Sequence, residues 1–239
     1  MEPASLDSQR SSAEDYLKWL LFEIGAGYYS RKLASGPEAD LRADFAEFLI
    51  HSAPRRAGAP LSVLDVGCGP GHLARLLAQE NCQVTAVDRS IRLLRLARRW
   101  AKREGVTVNF QNSMADSLPF PDNSFDASCA TTVIYFVADP VRVLREMARV
   151  TRPGGIIATL DPSSAMNIPA MREYGLRHRL SARDRRKLNA WAVAARFNRR
   201  FTESELTALL QSAGLVNCSL LPRLDGLVWF ARGFVSTAL

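Results

Sequence analysis

Three closely spaced glycines follow a short apolar run about a quarter of the way along the chain. The stretch LSVLDVGCGPGHL, residues 61–73, holds them at Gly67, Gly69 and Gly71. Asp65 ends the apolar run, and Asp88 ends the next β-rich run 23 residues later. Glycines let the backbone approach a ligand with no Cβ in the way, and a carboxylate such as Asp88 suits the two hydroxyls of a ribose. The pattern predicts a nucleotide-type ligand.

The spacing of these residues separates two kinds of nucleotide cofactor. Dinucleotide sites carry the pattern GxGxxG, whereas here His72 stands where the last glycine would be. Asp65 would repel a pyrophosphate but attract a cationic group. We therefore expect a cofactor with a cationic amino-acid end.

Short β-rich runs alternate with helical segments in the middle of the chain. The predicted strands are 62–66, 83–87, 106–110, 125–130 and 155–160, and the helices are 71–80, 90–103 and 139–150. RPGG at 152–155 is expected to stop the third helix. Such alternation predicts a parallel sheet with helices on both faces, and a ligand at the carboxyl ends of its strands.

The flanking segments are expected to cover and complete this sheet. Thr202 and Glu205 form a capping-box pattern for a helix over 202–212. Only PRLDG separates the last two β-rich runs, 215–221 and 227–234, so they must be antiparallel neighbours. We expect a disordered tail over 1–13 and a single domain over 14–239. Its parts are a helical cover at 14–50, a cofactor-binding core at 60–161, a basic helical cover at 163–200 and a closing unit at 201–239.

Composition is typical of a globular protein. The chain has 239 residues, of which 47% are hydrophobic, enough to form a full core. No apolar run reaches the roughly 18 residues of a membrane span, and the polar N-terminus is unlike a secretory signal. The four cysteines are dispersed without a CxxC pair, so we expect packed thiols and no metal site. These features predict a cytoplasmic protein.

Four blocks of sequence resemble a known family. LDVGCGPGHLARLLA is similar to motif I of the class I S-adenosylmethionine-dependent methyltransferases, and the likeness continues through AVDRS, SLPFPDNSFDAS and DPVRVLREMARVTRPGG. Together the blocks cover about residues 60–161 and look most like the branch called methyltransferase type 11, which includes the quinone C-methyltransferases. The resemblance implies an α/β, doubly wound, mostly parallel seven-stranded sheet with a C-terminal antiparallel hairpin. It also implies S-adenosylmethionine as cofactor and methyl transfer as activity.

The resemblance also assigns residues to the cofactor. It places Asp65, Gly67, Cys68 and Gly69 around the methionine part, and Gly71 is a further candidate cofactor-binding residue. Asp88 would hold the ribose hydroxyls, and Arg89 would lie beside the adenine. Where the family usually has an acidic residue for the adenine amino group, this chain has Met114. Either Met114 and Ala115 hold adenine through backbone and packing, or Asp116 supplies the carboxylate.

The methyl acceptor would face the segment after the fourth strand, ATTVIYFVADP. This segment lacks the Asn/Asp-Pro-Pro-Tyr element of base and glutamine methylation, and Tyr135 and Phe136 replace the family's common pair of histidines. Thr131 and Tyr135 are the candidate catalytic residues, and Thr131 would also touch the cofactor. Asp161, at the end of the fifth strand, is a further candidate polar contact.

The net charge of +7 is concentrated in two segments. Residues 172–200 hold ten Lys or Arg against two acids, and residues 89–103 hold seven and no acid. Local basic patches favour an anionic partner. With the aromatic N-terminal segment, the basic cover suits a small or lipid-like acceptor and peripheral contact with an anionic membrane. No nucleic-acid module accompanies the patches, so nucleic acid is the less favoured partner.

Three alternative functions are open at this point. One is an RNA methyltransferase that uses the basic patches. Another is a fold relative that binds the cofactor for non-methylating chemistry, and the third is a non-catalytic partner subunit.

Overall fold

The structure is a computed structural model in which residues 35–56 and 58–237 are described. The predicted tail over 1–13 and the predicted helical segment over 14–34 lie outside these residues. The helices are α1 (Pro37–Ser52), α2 (His72–Gln79), α3 (Ile91–Glu104), α4 (Pro140–Val150), α5 (Ile168–Arg177), α6 (Ala182–Arg196) and α7 (Glu203–Ser212). The strands are β1 (Ser62–Val66), β2 (Gln83–Asp88), β3 (Asn109–Asn112), β4 (Phe125–Thr131), β5 (Thr151–Pro162), β6 (Leu215–Arg223) and β7 (Val228–Val235).

The seven strands form one sheet in the order β3-β2-β1-β4-β5-β7-β6. The first five pair in parallel, whereas β7 is antiparallel to both β5 and β6. This confirms the predicted fold class and the C-terminal hairpin. The chain proceeds outward from β1 to β3 and then returns to the other side of β1, so the strand order reverses between β1 and β4. Ligands of open α/β sheets bind at such a switch point.

The helices that pack on the sheet each bury one row of side chains against it. Leu93, Leu94, Ala97 and Ala101 of α3 are buried, and the arginines between them are exposed. β4 is buried along its whole length, as expected of a central strand covered on both faces. In the same core cluster as Leu94 and Ala97, the Phe45 ring of α1 meets the Phe230 ring of β7 edge to face, with centroids 5.1 Å apart. That contact anchors α1 to the sheet.

Two strands differ from their predicted bounds. β3 covers 109–112 and not 106–110, because Gly105 adopts a left-handed conformation and the Val106 amide still donates to the Ala101 carbonyl, 3.1 Å away, at the end of α3. β5 begins at Thr151 and not at Gly155. The RPGG segment follows the end of the helix as predicted, and within β5 it forms the register shift between Thr151, which pairs with Phe125, and Ile156, which pairs with Ala127. Gly154 has φ 73°, a conformation that glycine adopts without strain.

The segments around the core close over the carboxyl edge of the sheet. The Lys187 ammonium of α6 donates to the Ser35 carbonyl just before α1, 2.6 Å away.

The predicted capping box of α7 is confirmed, since the Thr202 and Glu205 side chains each bind the other's backbone amide. Within residues 35–56 and 58–237, no helix is long and apolar enough to cross a membrane.

Candidate functional site

The glycine turn after β1 is built from left-handed backbone. Gly67, Gly69 and Gly71 have φ of 68°, 54° and 73°, values that favour glycine. A Cβ at Gly67 would overlap Cγ2 of Val133, in the loop after β4, whereas a Cβ at Gly71 would lie 2.9 Å from the Phe110 ring of β3. Gly67 therefore permits close approach on the cavity side of the turn, and Gly71 permits packing behind it.

Asp88 connects the glycine turn to the end of β2. Its two carboxylate oxygens accept the amides of Gly69 and Ser90, each at 2.8 Å. Ser90 in turn caps α3 by accepting the Leu93 amide at 3.1 Å. A carboxylate can accept about four hydrogen bonds, so it can accept ligand hydroxyls as well as these two backbone amides. Asp88 therefore fixes the turn and can still bind a ribose.

A cavity of about 360 Å³ lies where the sheet order reverses. This volume falls in the range of small-molecule sites. Eight of the predicted site residues line it: Gly67, Cys68, Gly69, Asp88, Arg89, Ala115, Thr131 and Tyr135. They come from the ends of β1, β2 and β4 and from the segment after β3. Since parallel strands lie about 4.8 Å apart, these ends meet in one small space.

Four predicted cofactor residues do not line this cavity. Gly71 packs against β3 and α3, as described above. Met114 is 49% exposed, and Asp116 lies 3.8 Å from the Arg142 guanidinium. Ser113 and Ala115 line the cavity beside them. Of the two alternatives for adenine, the geometry favours backbone and packing at Ala115 over a carboxylate from Asp116.

Asp65 is the fourth of these residues and is fully buried at the end of β1. Within the described chain, neither of its carboxylate oxygens has a hydrogen-bond partner. Burial raises its pKa to about 7; the Asp88 carboxylate adds to the rise, and the Arg42 guanidinium opposes it. Asp65 thus lies behind the cavity wall, where it interacts electrostatically with Asp88 and Arg42, two residues that line the cavity. Its predicted direct contact with the cofactor stays a prediction.

The loop after β4 forms the other wall. Thr132 has φ 58°, rare for a β-branched residue, and its amide donates to the Leu160 carbonyl at 2.7 Å. The Tyr135 amide donates to Asp161, 3.1 Å away, at the end of β5. Strained backbone held by its surroundings is typical of functional sites. Asp161 supports this wall from behind, where burial raises its pKa to about 7, and it does not line the cavity.

The cavity-lining residues of α1 and α6, in the two predicted covers, were not predicted from the sequence. Glu38 and Arg42 belong to α1, while Ala190, Trp191, Ala194 and Asn198 belong to α6 and the residues just after it. Residues 190, 194 and 198 are four positions apart, and so are residues 38 and 42. Residues spaced in this way share one face of a helix. Nothing in the sequence alone says that these faces turn toward the glycine turn.

The donor set fits an adenosyl cofactor with an amino-acid end. Gly67 lines the cavity with backbone alone, Asp88 can accept ribose hydroxyls, and Glu38 and Arg42 supply opposite charges nearby. Cys68 lines the same cavity as a buried thiol, and burial, with the Asp65 and Asp88 charges, raises its pKa well above the usual value. The thiol therefore acts as a small apolar contact.

Comparison with known proteins agrees with this geometry. Residues 64–159 match the family described as "Methyltransferase domain". A ubiquinone biosynthesis O-methyltransferase of Xanthomonas axonopodis pv. citri is 34% identical over 135 residues, 55% of this chain and 56% of that protein. The match thus spans about half the length of the curated relative.

Solved structures extend the likeness over more of the chain. An S-adenosylmethionine-dependent methyltransferase from Aquifex aeolicus superposes with a TM-score of 0.63 at 19% identity, covering 87% of this chain and 97% of the other. The [4+2]-cyclase SpnF superposes with a TM-score of 0.59 at 20% identity, covering 84% and 82%. At such identities these likenesses show the fold. Residues 64–159 thus match a methyltransferase domain, and the described chain has the fold of these solved structures.

Proposed function

We propose that this protein transfers a methyl group from S-adenosylmethionine to a small, largely apolar acceptor. The observation that carries this proposal is that one cavity joins the glycine turn and Asp88 to an uncharged wall. That wall consists of Thr131, Thr132, Val133, Tyr135, Phe136, Val137 and the α6 residues. A cofactor that fills the first side leaves the second for the acceptor.

The chain's part in this reaction is to position the acceptor. S-adenosylmethionine supplies, when bound, an electrophilic sulfonium methyl group: an acceptor nucleophile bonds to the methyl carbon in line as the carbon–sulfur bond breaks and S-adenosylhomocysteine leaves. The protein must hold that nucleophile about 3 Å from the methyl carbon and exclude water. Thr131 and Tyr135 are both largely buried at the cavity wall. They are the proposed contacts of the acceptor, and their catalytic role is part of the proposal.

The acceptor class follows from the wall and from the curated relative. Val133, Phe136 and Val137 offer apolar side chains to the cavity, which suits a planar or lipid-like ring. The relative is named for ubiquinone biosynthesis and O-methylation. Both observations support a quinone-type or phenolic acceptor.

Peripheral contact with an anionic membrane is part of the same proposal. Phe197, just after α6, is 71% exposed, and Val193 is exposed one turn earlier. Arg196, Arg199 and Arg200 are exposed beside them. Apolar side chains amid cations are typical of surfaces that bind anionic bilayers. Flotation with anionic vesicles tests this contact, and the absence of salt-sensitive binding contradicts it.

Label transfer from methyl-labelled S-adenosylmethionine tests the main proposal. The protein is incubated with a panel of catechols and hydroxyquinones, and separately with total RNA. We expect label in the organic phase and stoichiometric release of S-adenosylhomocysteine. Label that appears only in RNA and is lost after RNase treatment would favour the RNA alternative.

Replacing one or the other of two alanines of α6 by phenylalanine tests where the acceptor binds. Ala194 lines the cavity and Ala182 does not, so Ala194→Phe fills acceptor space whereas Ala182→Phe adds a ring at the exposed start of α6. We expect Ala194→Phe to lower label transfer by about 5- to 150-fold, since an overfilled site costs about 1–3 kcal/mol. Affinity for S-adenosylhomocysteine should be unchanged in both variants. Equal transfer by the two would contradict the assigned wall.

A further inference from the structure

The acceptor wall includes one polar side chain from the α6 side. Asn198 lies two residues after α6, is half-buried and lines the cavity with Ala190, Trp191 and Ala194. The side-chain NH2 group of Asn198 donates to the Ala194 carbonyl, 2.8 Å away. Because a carbonyl oxygen only accepts hydrogen bonds, this contact fixes which end of the amide faces Ala194. The side-chain oxygen of Asn198 is the end left for another group.

That oxygen is available to a ligand. Within residues 35–56 and 58–237 it has no hydrogen-bond partner. It is not among the fully enclosed polar atoms that lack a partner, so it has accessible surface. Ala190 and Ala194 have no polar side-chain atom, and the indole nitrogen of Trp191 is fully enclosed. Asn198 therefore carries the accessible hydrogen-bonding side-chain atom that these four lining residues offer the cavity.

The next residue, Arg199, holds this part of the chain against the loop after β4. Its backbone amide donates to the Tyr135 carbonyl at 3.2 Å. Its guanidinium donates to the carbonyls of Val137 and Ala138, the second at 2.8 Å. Arg199 thus joins the two parts of the acceptor wall, and it fixes the backbone beside Asn198 where they meet.

A side-chain amide suits a hydroxyl that keeps its proton. The hydroxyl that becomes methylated must lose its proton, and an amide oxygen accepts a hydrogen bond without serving as a base. An acceptor that covered the Asn198 oxygen without donating to it would leave a buried polar atom unpaired, which is unfavourable. Sites built to bind a substrate hydroxyl reject analogues that lack it for this reason.

We infer that Asn198 determines acceptor specificity, because its side-chain oxygen accepts a hydrogen bond from a hydroxyl of the acceptor other than the one that is methylated. The inference rests on the proposed function and adds a residue from outside the family match, which ends at residue 159. It assigns the end of the basic cover a role in choosing the acceptor.

Methyl transfer to three small phenols tests the inference. The probes are catechol, 2-fluorophenol and phenol; fluorine has no hydrogen to donate, and phenol lacks the second group altogether. The preference for catechol over each other probe is the ratio of their kcat/KM values. Asn198→Leu is similar in size to the wild-type residue but has no polar side-chain atom. Leaving a hydrogen-bonding group unpaired changes this preference by a factor of about 5 to 150, equivalent to about 1–3 kcal/mol.

We therefore expect Asn198→Leu to lower the preference for catechol by that factor, mainly through a lower kcat/KM for catechol. Comparing preferences between variants cancels the intrinsic reactivity of each phenol. Asn198→Asp keeps an oxygen that accepts a hydrogen bond, so it should retain most of the wild-type preference.

Asn189→Leu is the matched control. Asn189 belongs to the same helix, but it does not line the cavity, and its side-chain oxygen is fully enclosed. This variant should keep the wild-type preference. Affinity for S-adenosylhomocysteine, measured by calorimetry, should be unchanged in all three variants.

Two results would overturn the inference alone. One is a wild-type preference in Asn198→Leu. The other is an equal loss of transfer to all three probes in that variant, as expected of a residue that only supports the wall or contacts the reacting hydroxyl. In both cases the wild-type protein still methylates phenols, so the proposed function stands. A wild-type protein that methylates none of the three would contradict the phenolic acceptor of the proposed function, and the inference with it.

Discussion

The two walls of the cavity are built in different ways. The cofactor wall comes from short, contiguous stretches, the turn at 67–70 and the segment 88–90, joined by the Asp88 carboxylate. The acceptor wall joins the loop at 131–137 to residues 190–198, about 60 positions later in the chain. These two stretches of the cofactor wall are thus set by local backbone geometry, and Glu38 and Arg42 join them from α1, whereas the acceptor wall needs α6 packed beside the loop. Changes in the first should affect cofactor binding, and changes in the second should affect the acceptor.

The largest loss of cofactor affinity is expected from Asp88→Ala. The substitution leaves the Gly69 and Ser90 amides without their acceptor and removes the proposed ribose contact. Removing one partner of a buried charged hydrogen bond costs about 2–5 kcal/mol, so affinity for S-adenosylhomocysteine should fall by about 30-fold or more. Isothermal titration calorimetry measures this affinity, and circular dichroism verifies that the variant is folded.

Asp126→Ala is the matched control for that loss. Asp126 is also buried and also accepts a backbone amide, that of Ser62 at 2.9 Å, but it lies at the amino end of β4. We expect lower stability and unchanged cofactor affinity. If both aspartate variants lost cofactor affinity equally, the cofactor wall would not be the local unit described here.

Gly67→Ala should give a smaller loss and tests whether the two walls touch. The new Cβ would overlap Cγ2 of Val133 on the acceptor wall, and the left-handed conformation adds strain. These costs amount to roughly 1–3 kcal/mol, and we expect about a 10-fold loss of S-adenosylhomocysteine affinity. The double variant Gly67→Ala/Val133→Ala should recover part of it. Strictly additive effects would show that the two residues do not interact.

The sequence predicted the cofactor wall far better than the acceptor wall. Glycine spacing and strand-terminal carboxylates are local signals, and Gly67, Gly69 and Asp88 all line the cavity. Alternation and the short PRLDG connection sufficed for the parallel core and the hairpin. Tertiary packing decides the other positions. Met114 is exposed while its neighbours Ser113 and Ala115 line the cavity, and no periodicity marks that difference.

Arg42 shows why the covers were not readable in the same way. In the sequence Arg42 is one arginine in a helix of mixed composition. Whether it lines the cavity depends on which face α1 turns toward the sheet. The aromatic contact of Phe45 with Phe230 sets that face, and its partner lies 185 positions away. Long-range contacts of this kind carry no signature in a single sequence.

Asp161→Asn is expected to leave cofactor affinity unchanged and to alter stability instead. Asp161 is fully buried behind the acceptor wall, and burial raises its pKa from 3.8 to about 7. The folded protein therefore binds more protons than the unfolded chain between these values, so the Asp161 carboxyl makes the protein less stable as pH rises from about 4 to 7. The asparagine variant lacks this titration but keeps an acceptor for the Tyr135 amide.

Urea unfolding at pH 5 and pH 8 measures the effect. Relative to wild type, the stability of Asp161→Asn should rise by roughly 2–3 kcal/mol between the two pH values. Asp65→Asn should shift stability in the same direction, but it should also change cofactor affinity, because Asp65 interacts with Arg42 and Asp88 whereas burial alone accounts for the raised pKa of Asp161. A wild-type pH profile in Asp161→Asn would contradict the assignment. The pair would thus separate a buried carboxyl that supports a wall from one whose charge acts on the ligand across it.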